Sequence, residues 1–199
     1  SGALNLAANR LTLKGDLVNN GAYTDNNSNG VVLQGTAKQL VSGSGSFGRL
    51  MLDNAAGARS LSSISLQNDL VLSKGIFDIN QYQLTLSQTS SIGGAPFDVT
   101  KMVVTDGVAS NLGMRKFFAS NPAAAFTFPI GVNGKYTPAI LNITASSTVG
   151  YISIMAVNSN HPAVLDPNNV LHYYWKTESS GITGFKGSVT YQYLAGDVA

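Results

Sequence analysis

Apolar residues in this chain alternate with small or polar residues over many short stretches. The pattern of apolar, any, apolar recurs at Leu4–Leu6, Leu11–Leu13, Val31–Leu33, Leu50–Leu52 and Leu84–Leu86. A period of two is typical of short strands with one buried face. Stretches such as TDNNSNG and SGSGS separate them and supply residues that favour tight turns. Because no segment has a convincing helical period, we predict an all-β chain.

The spacing of the apolar positions predicts a repeating architecture. Apolar positions lie 19 or 20 residues apart in the series Leu13, Leu33, Leu52, Leu72, Ile92 and Leu112. About 20 residues, enough for three short strands, is typical of one rung of a parallel β-helix, in which each rung buries its inward side chains against the next. We therefore predict a parallel β-helix over residues 1–119, with Leu13, Leu33, Leu52 and Leu72 in one inward stack.

One pattern of twelve residues occurs twice. The stretch GALNLAANRLTL begins at Gly2, and GIFDINQYQLTL begins at Gly75, an offset of 73 residues. Because 73 is not a multiple of 20, the offset indicates a longer module or loops of unequal length.

The character of the chain changes near residue 120. The stretch SNPAAAF reads as a connector, and longer apolar runs follow it, among them residues 139–144 and 150–157. Longer strands joined by turns are typical of antiparallel sheets. We predict a β-sandwich over residues 120–199, with truncation at its C-terminus as an open alternative.

Composition narrows the classes of function. Charged residues make up 11% of the chain, with a single Glu, and the net charge is +2. No basic run occurs, so nucleic acids and anionic membranes are poor candidate partners. The chain has no Cys, which excludes disulfides and cysteine metal sites. No apolar run is long enough for a membrane-spanning helix. No pattern indicates a cofactor.

Two longer motifs carry a resemblance to a known family. The stretches GTAKQLVSGSGSF and FPIGVNGKYTPA are its most specific parts. The first resembles the repeat module of large secreted surface proteins of Bacteroidetes, and the second resembles the segment that follows those modules. The family is similar to adhesin-like β-solenoids exported by type IX secretion. The resemblance implies an extracellular or cell-surface location and a structural, adhesive or filament role. It implies no catalytic residues.

A partial calcium motif lies in an Asn-rich turn. Asp25, Asn27 and Asn29 match the first half of a calcium loop, D-x-N-x-N-G. The twelfth position, where a bidentate Glu is needed, is Thr36. An ordinary Asn-rich turn is the favoured interpretation, and a bound metal is not expected.

The aromatic stretch HYYWK is a second candidate site. In a strand, Tyr173 and Trp175 share one face, and His172 and Tyr174 share the other. One face must lie in a core, and the other could stack against a sugar. Tyr174 and His172 are therefore weak carbohydrate-binding candidates. The second histidine, His161, precedes a proline in a loop and is expected to have a structural role.

The charged residues do not form an evident catalytic pair. The carboxylates Asp53, Asp69, Asp78 and Asp98 are dispersed along the chain, and the basic residues Lys101, Arg115 and Lys116 are expected on a solvated surface. We therefore expect a non-enzymatic segment of a bacterial surface protein. The alternative is a carbohydrate-binding or polysaccharide-processing β-helix.

The expected partners follow from the exposed end of a β-helix. A rung satisfies its backbone through the rungs on either side, so an end rung pairs with something else or needs a cap. Leu4, Leu6 and Leu11 are expected to form an apolar edge in the first rung. The partners would be other segments of the same large protein or stacked copies of the chain, with surface glycans as a further possibility.

Overall fold

The computed structural model describes residues 2–26, 29–120, 124–132, 134–166 and 168–198. It confirms the predicted fold class, because a parallel β-solenoid is followed by antiparallel strands. The helical content of the described residues is one short 3-10 helix, Ala195–Asp197.

The solenoid consists of five successive triplets of strands among the described residues. The strands are β1 (Ala3–Asn5), β2 (Arg10–Leu13), β3 (Leu17–Val18), β4 (Ala22–Thr24), β5 (Gly30–Leu33), β6 (Gln39–Ser42), β7 (Ser46–Phe47), β8 (Leu50–Asp53), β9 (Ala58–Ser60), β10 (Ile64–Leu66), β11 (Leu70–Lys74), β12 (Phe77–Asn80), β13 (Leu84–Leu86), β14 (Ile92–Gly93) and β15 (Val103–Thr105). The first strands of the triplets pair in parallel as face A, the second as face B and the third as face C. Each strand therefore lies against the strand three positions away in the chain.

The predicted leucine stack on face B is confirmed. Leu13 pairs with Leu33, Leu33 with Leu52, and Leu52 with Leu72. The last three are fully buried, and Leu13 is half-buried at the end of the stack. Aliphatic side chains repeated at the rung spacing bury apolar surface only against the rungs on either side, so the stack accounts for the fold.

The extension of that series to Ile92 and Leu112 is wrong. Ile92 pairs with Leu70 instead of Leu72, because the connection between β13 and β14 is two residues longer than the corresponding connection between β10 and β11. Leu112 lies outside the strands and is 46% exposed.

The twelve-residue pattern encodes a corner of the solenoid. Its first copy spans the corner from face A to face B, and its second spans the corner from face C to face A, because β12 is the eleventh strand after β1. Ala7 and Asn80 occupy the same place in the two copies, and both have positive φ, 47° and 52°. Their amides donate to the side chains of Asn5 and Asp78 at 2.9 Å in both cases. The offset of 73 residues therefore corresponds to eleven strands, which is not a whole number of three-strand rungs.

The antiparallel part grows directly from the solenoid faces. Its strands are β16 (Met114–Phe118), β17 (Ala124–Phe128), β18 (Ile130–Val132), β19 (Lys135–Tyr136), β20 (Ala139–Ala145), β21 (Gly150–Val157), β22 (Tyr174–Ser180) and β23 (Lys186–Tyr191). Strand β16 extends face A in parallel, and β21 and β22 continue it antiparallel. Strands β18 and β19 extend face C, while β17, β20 and β23 form a separate antiparallel sheet. Buried side chains of that sheet and of β21 belong to the same core as the solenoid leucines.

Candidate functional site

The N-terminal end of the solenoid is the first candidate site. Strands β1, β2 and β3 each form the edge of a face, so each is paired on one side only. Leu4 is 46% exposed although it pairs with Tyr23, which is buried. The predicted apolar edge is therefore present at Leu4, and it continues more weakly at Leu6 and Leu11, which are half-buried. An unpaired edge with aliphatic side chains beside it can pair with a further strand.

The calcium candidate Asp25 lies in a hydrogen-bond network. One of its carboxylate oxygens accepts from the Tyr23 hydroxyl at 2.5 Å and from the Arg49 amide at 2.6 Å, and the other accepts from the Asn68 side chain at 2.8 Å. Burial, and then the hydrogen bond to Asp25, raise the pKa of Tyr23. The hydrogen bonds from Arg49 and Asn68 hold the turn after β4 against the two following rungs.

The other calcium candidates are not brought onto Asp25 by the described contacts. The side-chain amide of Asn29 donates to the carbonyl of Ala8. Asn27 lies outside the described residues. Among the described residues, no group of three or more Asp, Glu, His or Cys side chains could hold a metal ion.

The aromatic stretch divides between a core and a surface. Tyr173 is buried, and Trp175 packs against it edge to face. Tyr174 contacts the ring of His161, with centroids 4.9 Å apart. His172 is exposed and lies 2.8 Å from the side-chain oxygen of Asn160. The carbohydrate candidates Tyr174 and His172 thus contact the loop that carries Asn160 and His161, whereas Tyr173 and Trp175 contact each other.

An aromatic groove forms the second candidate site, and its residues come from two separate parts of the sequence. It has a volume of about 400 Å³ and is lined by Tyr136, Pro138, Tyr191, Gln192, Tyr193 and Leu194. The ring of Tyr191 stacks on Trp175, with centroids 5.0 Å apart and planes inclined by 29°. No local sequence pattern indicates this groove, because its residues Tyr136 and Tyr191 are 55 positions apart in the chain.

A polar network fastens the C-terminal segment beside the groove. Asp197 forms an ion pair with Lys135 at 2.7 Å and accepts a hydrogen bond from the Tyr173 hydroxyl at 2.7 Å. The hydrogen bond from Lys135, and after it the one from Tyr173, lower the pKa of Asp197. Burial, and after it the hydrogen bond to Asp197, raise the pKa of Tyr173. The network fixes the chain that follows β23 against β19 and β22.

The placement of Lys116 differs from expectation. Lys116 is buried, not part of a solvated surface, and its ammonium donates to the carbonyls of Ser87 and Gln88 at 2.6 and 2.8 Å. Burial lowers its pKa to about 8, which a weaker attraction from Asp69 opposes. The period of two could have revealed this position, because Met114 and Phe118, two residues on either side, are also buried.

Local contacts are also found at Arg115, Lys101 and the four dispersed aspartates. Arg115 lies over the ring of Tyr151, 3.9 Å from its centroid. The dispersed carboxylates are held by neighbours: Asp53 by Gln34, Asp69 by Ser91, Asp78 by Arg59 and Asp98 by Thr100. Lys101 and Asp98 form an isolated β-bridge through their backbones. The described contacts do not gather these four carboxylates into one site.

Together, these features define a parallel β-solenoid with an antiparallel end. No known protein family, curated protein or solved structure matches the chain. In the described residues, none of the helices has the length and apolar character needed to cross a membrane.

Proposed function

We propose that this chain is a non-enzymatic structural segment of an extracellular bacterial surface protein. Its solenoid acts as a stiff spacer, and its N-terminal end continues the spacer by stacking on a further rung of parallel strands. The observation that carries this proposal is the run of paired inward residues that ends, at β1 to β3, on three unpaired edges.

The partner at that end is best matched by a rung of the same kind. Inside the molecule, successive triplets join along three faces, and apolar inward side chains lie over apolar ones, as Leu33 lies over Leu52 on face B. A single added strand would satisfy only one of the three edges. A triplet with inward aliphatic residues, from another segment of the same protein or from a second copy, satisfies all three.

The outer surface supports a spacer role in a second way. On face A, positions between the inward residues carry small polar side chains, such as Ser65 and Thr85. Such residues favour solvent exposure and add no apolar patch to that face. On face B, Val32, Met51 and Val71 take the corresponding positions, so this polar surface is a property of face A.

Sedimentation of the purified chain over a concentration series tests the stacking. We expect the mass to rise with concentration, and Leu4→Lys to abolish the rise by placing a charge on the edge. Leu165→Lys is the matched control, because Leu165 is 99% exposed and lies in a loop of the C-terminal part. A wild-type chain that stays monomeric, or equal effects of both variants, would overturn the stacking.

The extracellular setting needs its own experiment. Antibodies against the chain should label intact cells of the organism that encodes it. Labelling that appears only after the cells are lysed would contradict a surface location.

A further inference from the structure

We propose that the aromatic groove lined by Tyr136, Pro138, Tyr191, Gln192, Tyr193 and Leu194 binds a neutral carbohydrate chain. The site is separate from Tyr174 and His172, and the inference does not depend on the spacer role. It rests on the ring surfaces of the groove, on its unpaired polar groups and on the absence of charge in its lining.

Ring surface is the first argument. The groove gathers three tyrosines, and Tyr193 is 53% exposed although the chain around it is fixed. Tyr191 is supported from behind by the stacked ring of Trp175. Sugars present apolar C–H faces that pack on aromatic rings, and rings held in place lose little entropy on binding.

The rigidity of the groove is the second argument. The backbone amide of Gln192 donates to the Pro138 carbonyl at 3.0 Å, and this bond joins the two walls of the groove. The indole of Trp175 donates to the Thr137 carbonyl at 2.9 Å. The Asp197 network holds the segment that follows Leu194. A groove fixed on three sides is organised before a ligand arrives, which favours binding.

Polar groups within the groove are the third argument. Among the described residues, the hydroxyls of Tyr136 and Tyr193 and the side-chain amide of Gln192 have no hydrogen-bond partner. They remain accessible to solvent, so they can donate to and accept from a ligand. Rings and hydrogen-bonding groups in one groove match a ligand whose faces are apolar and whose rim carries hydroxyls.

The absence of charged residues from the lining narrows the chemical class of the ligand further. None of the six lining residues is Lys, Arg, His, Asp or Glu, so an anionic polysaccharide would find no cation in the groove itself. The neighbouring Lys135 is paired with Asp197. A proline-rich peptide also packs on aromatic rings, but it offers only carbonyl acceptors and no N–H donors, so it would leave the side-chain carbonyl of Gln192 unpaired, whereas sugar hydroxyls both donate and accept. These observations favour a neutral glycan.

The fluorescence of Trp175 provides a direct test because Trp175 is the one tryptophan of the chain. The probes are the neutral hexasaccharides cellohexaose, laminarihexaose, mannohexaose and chitohexaose, with polygalacturonate and a decaproline peptide as competitors. We expect a saturable change in Trp175 emission with at least one hexasaccharide. Tyr193→Ala should weaken that binding at least tenfold, and Gln192→Ala should weaken it less.

Tyr82→Ala is the matched control, because Tyr82 is a partly exposed tyrosine at a solenoid corner outside the groove. It should bind as the wild type does. Circular dichroism of all variants separates lost binding from lost folding. The proposal is overturned if no hexasaccharide gives a saturable change, if Tyr193→Ala binds as tightly as wild type, or if only polygalacturonate or decaproline binds. The sedimentation result for Leu4→Lys is independent of all these outcomes.

Discussion

The two ends of the solenoid carry the same row of inward positions on face A and finish it differently. At the N-terminal end the row stops at Leu4, which is 46% exposed beside an unpaired edge. At the other end the row passes through Leu66 and Leu86 to Lys116, whose ammonium binds two backbone carbonyls. Beyond Lys116 the sheet continues only in antiparallel strands. On face A, the C-terminal end is thus closed by a lysine in the inward row and by antiparallel strands, whereas the N-terminal end carries an aliphatic residue like the interior.

Burial along face B differs between its interior and its N-terminal end, and truncation of its leucines should have the largest effect. Leu52 is fully buried between Leu33 and Leu72, whereas Leu13 has a neighbour on one side only. We expect Leu52→Ala to lower the free energy of unfolding by about 4 kcal/mol and Leu13→Ala by roughly a third of that. Urea denaturation measures both. Equal losses would mean that the first rung is as well packed as the interior.

The two glycines of the repeated corner pattern give the next comparison. Gly75 has φ of 93°, and a Cβ there would collide with the backbone oxygen of Asn54 in the preceding rung. At Gly2 a Cβ would meet nothing within 4 Å. We expect Gly75→Ala to cost about 3 kcal/mol and Gly2→Ala almost nothing in the isolated chain. Denaturant melts of the two variants check this, and a costly Gly2→Ala would disprove the open end.

The closed end should depend on pH through Lys116. Its pKa is about 8 in the folded chain against 10.5 ordinarily, so the unfolded chain binds the proton more tightly. Stability should therefore rise with pH above about 8, by on the order of 1–2 kcal/mol up to pH ~9.5. At pH ~9.5 the tyrosines of the unfolded chain, with a pKa of about 10, are still mostly protonated.

Lys116→Met is the control for this dependence. Unfolding by urea at several pH values should show the rise in the wild type and a flatter profile in Lys116→Met. A slope that is the same in both would assign the dependence to another group.

Metal removal should have the smallest effect. Both carboxylate oxygens of Asp25 already accept hydrogen bonds from Tyr23, Arg49 and Asn68. We expect the melting temperature to be the same with and without EDTA, and Asp25→Ala to lower it because three donors lose their acceptor. A fall of several degrees with EDTA that calcium reverses would instead support the partial calcium motif.

Much of the solenoid could be predicted from the sequence, because its register follows from local spacing. Leu13, Leu33, Leu52 and Leu72 repeat at the rung length, and the rung length fixes which strands meet. The pairing of Ile92 could not be predicted in this way, because one longer connection shifts the register by two residues without changing the apolar pattern.

The candidate sites were less predictable for a different reason. Tyr136 and Tyr193 meet only through pairing of distant antiparallel strands, which no local period encodes. Lys116 could have been placed from its neighbours by the period of two, but a lysine is ordinarily expected at the surface. The exposure of Leu4 followed from the rung model itself, because an inward residue is covered only when strands lie on both sides of its own.

Hydrogen exchange of the backbone amides, measured at low and at high protein concentration, tests the open end most directly. At low concentration the amides of β1 to β3 should exchange much faster than those of β10 to β12, which have paired strands on both sides. At high concentration stacking should slow exchange in β1 to β3 and leave β10 to β12 unchanged. If β1 to β3 exchange as slowly as β10 to β12 in the dilute monomer, and concentration changes nothing, the first rung is self-sufficient and the account is contradicted.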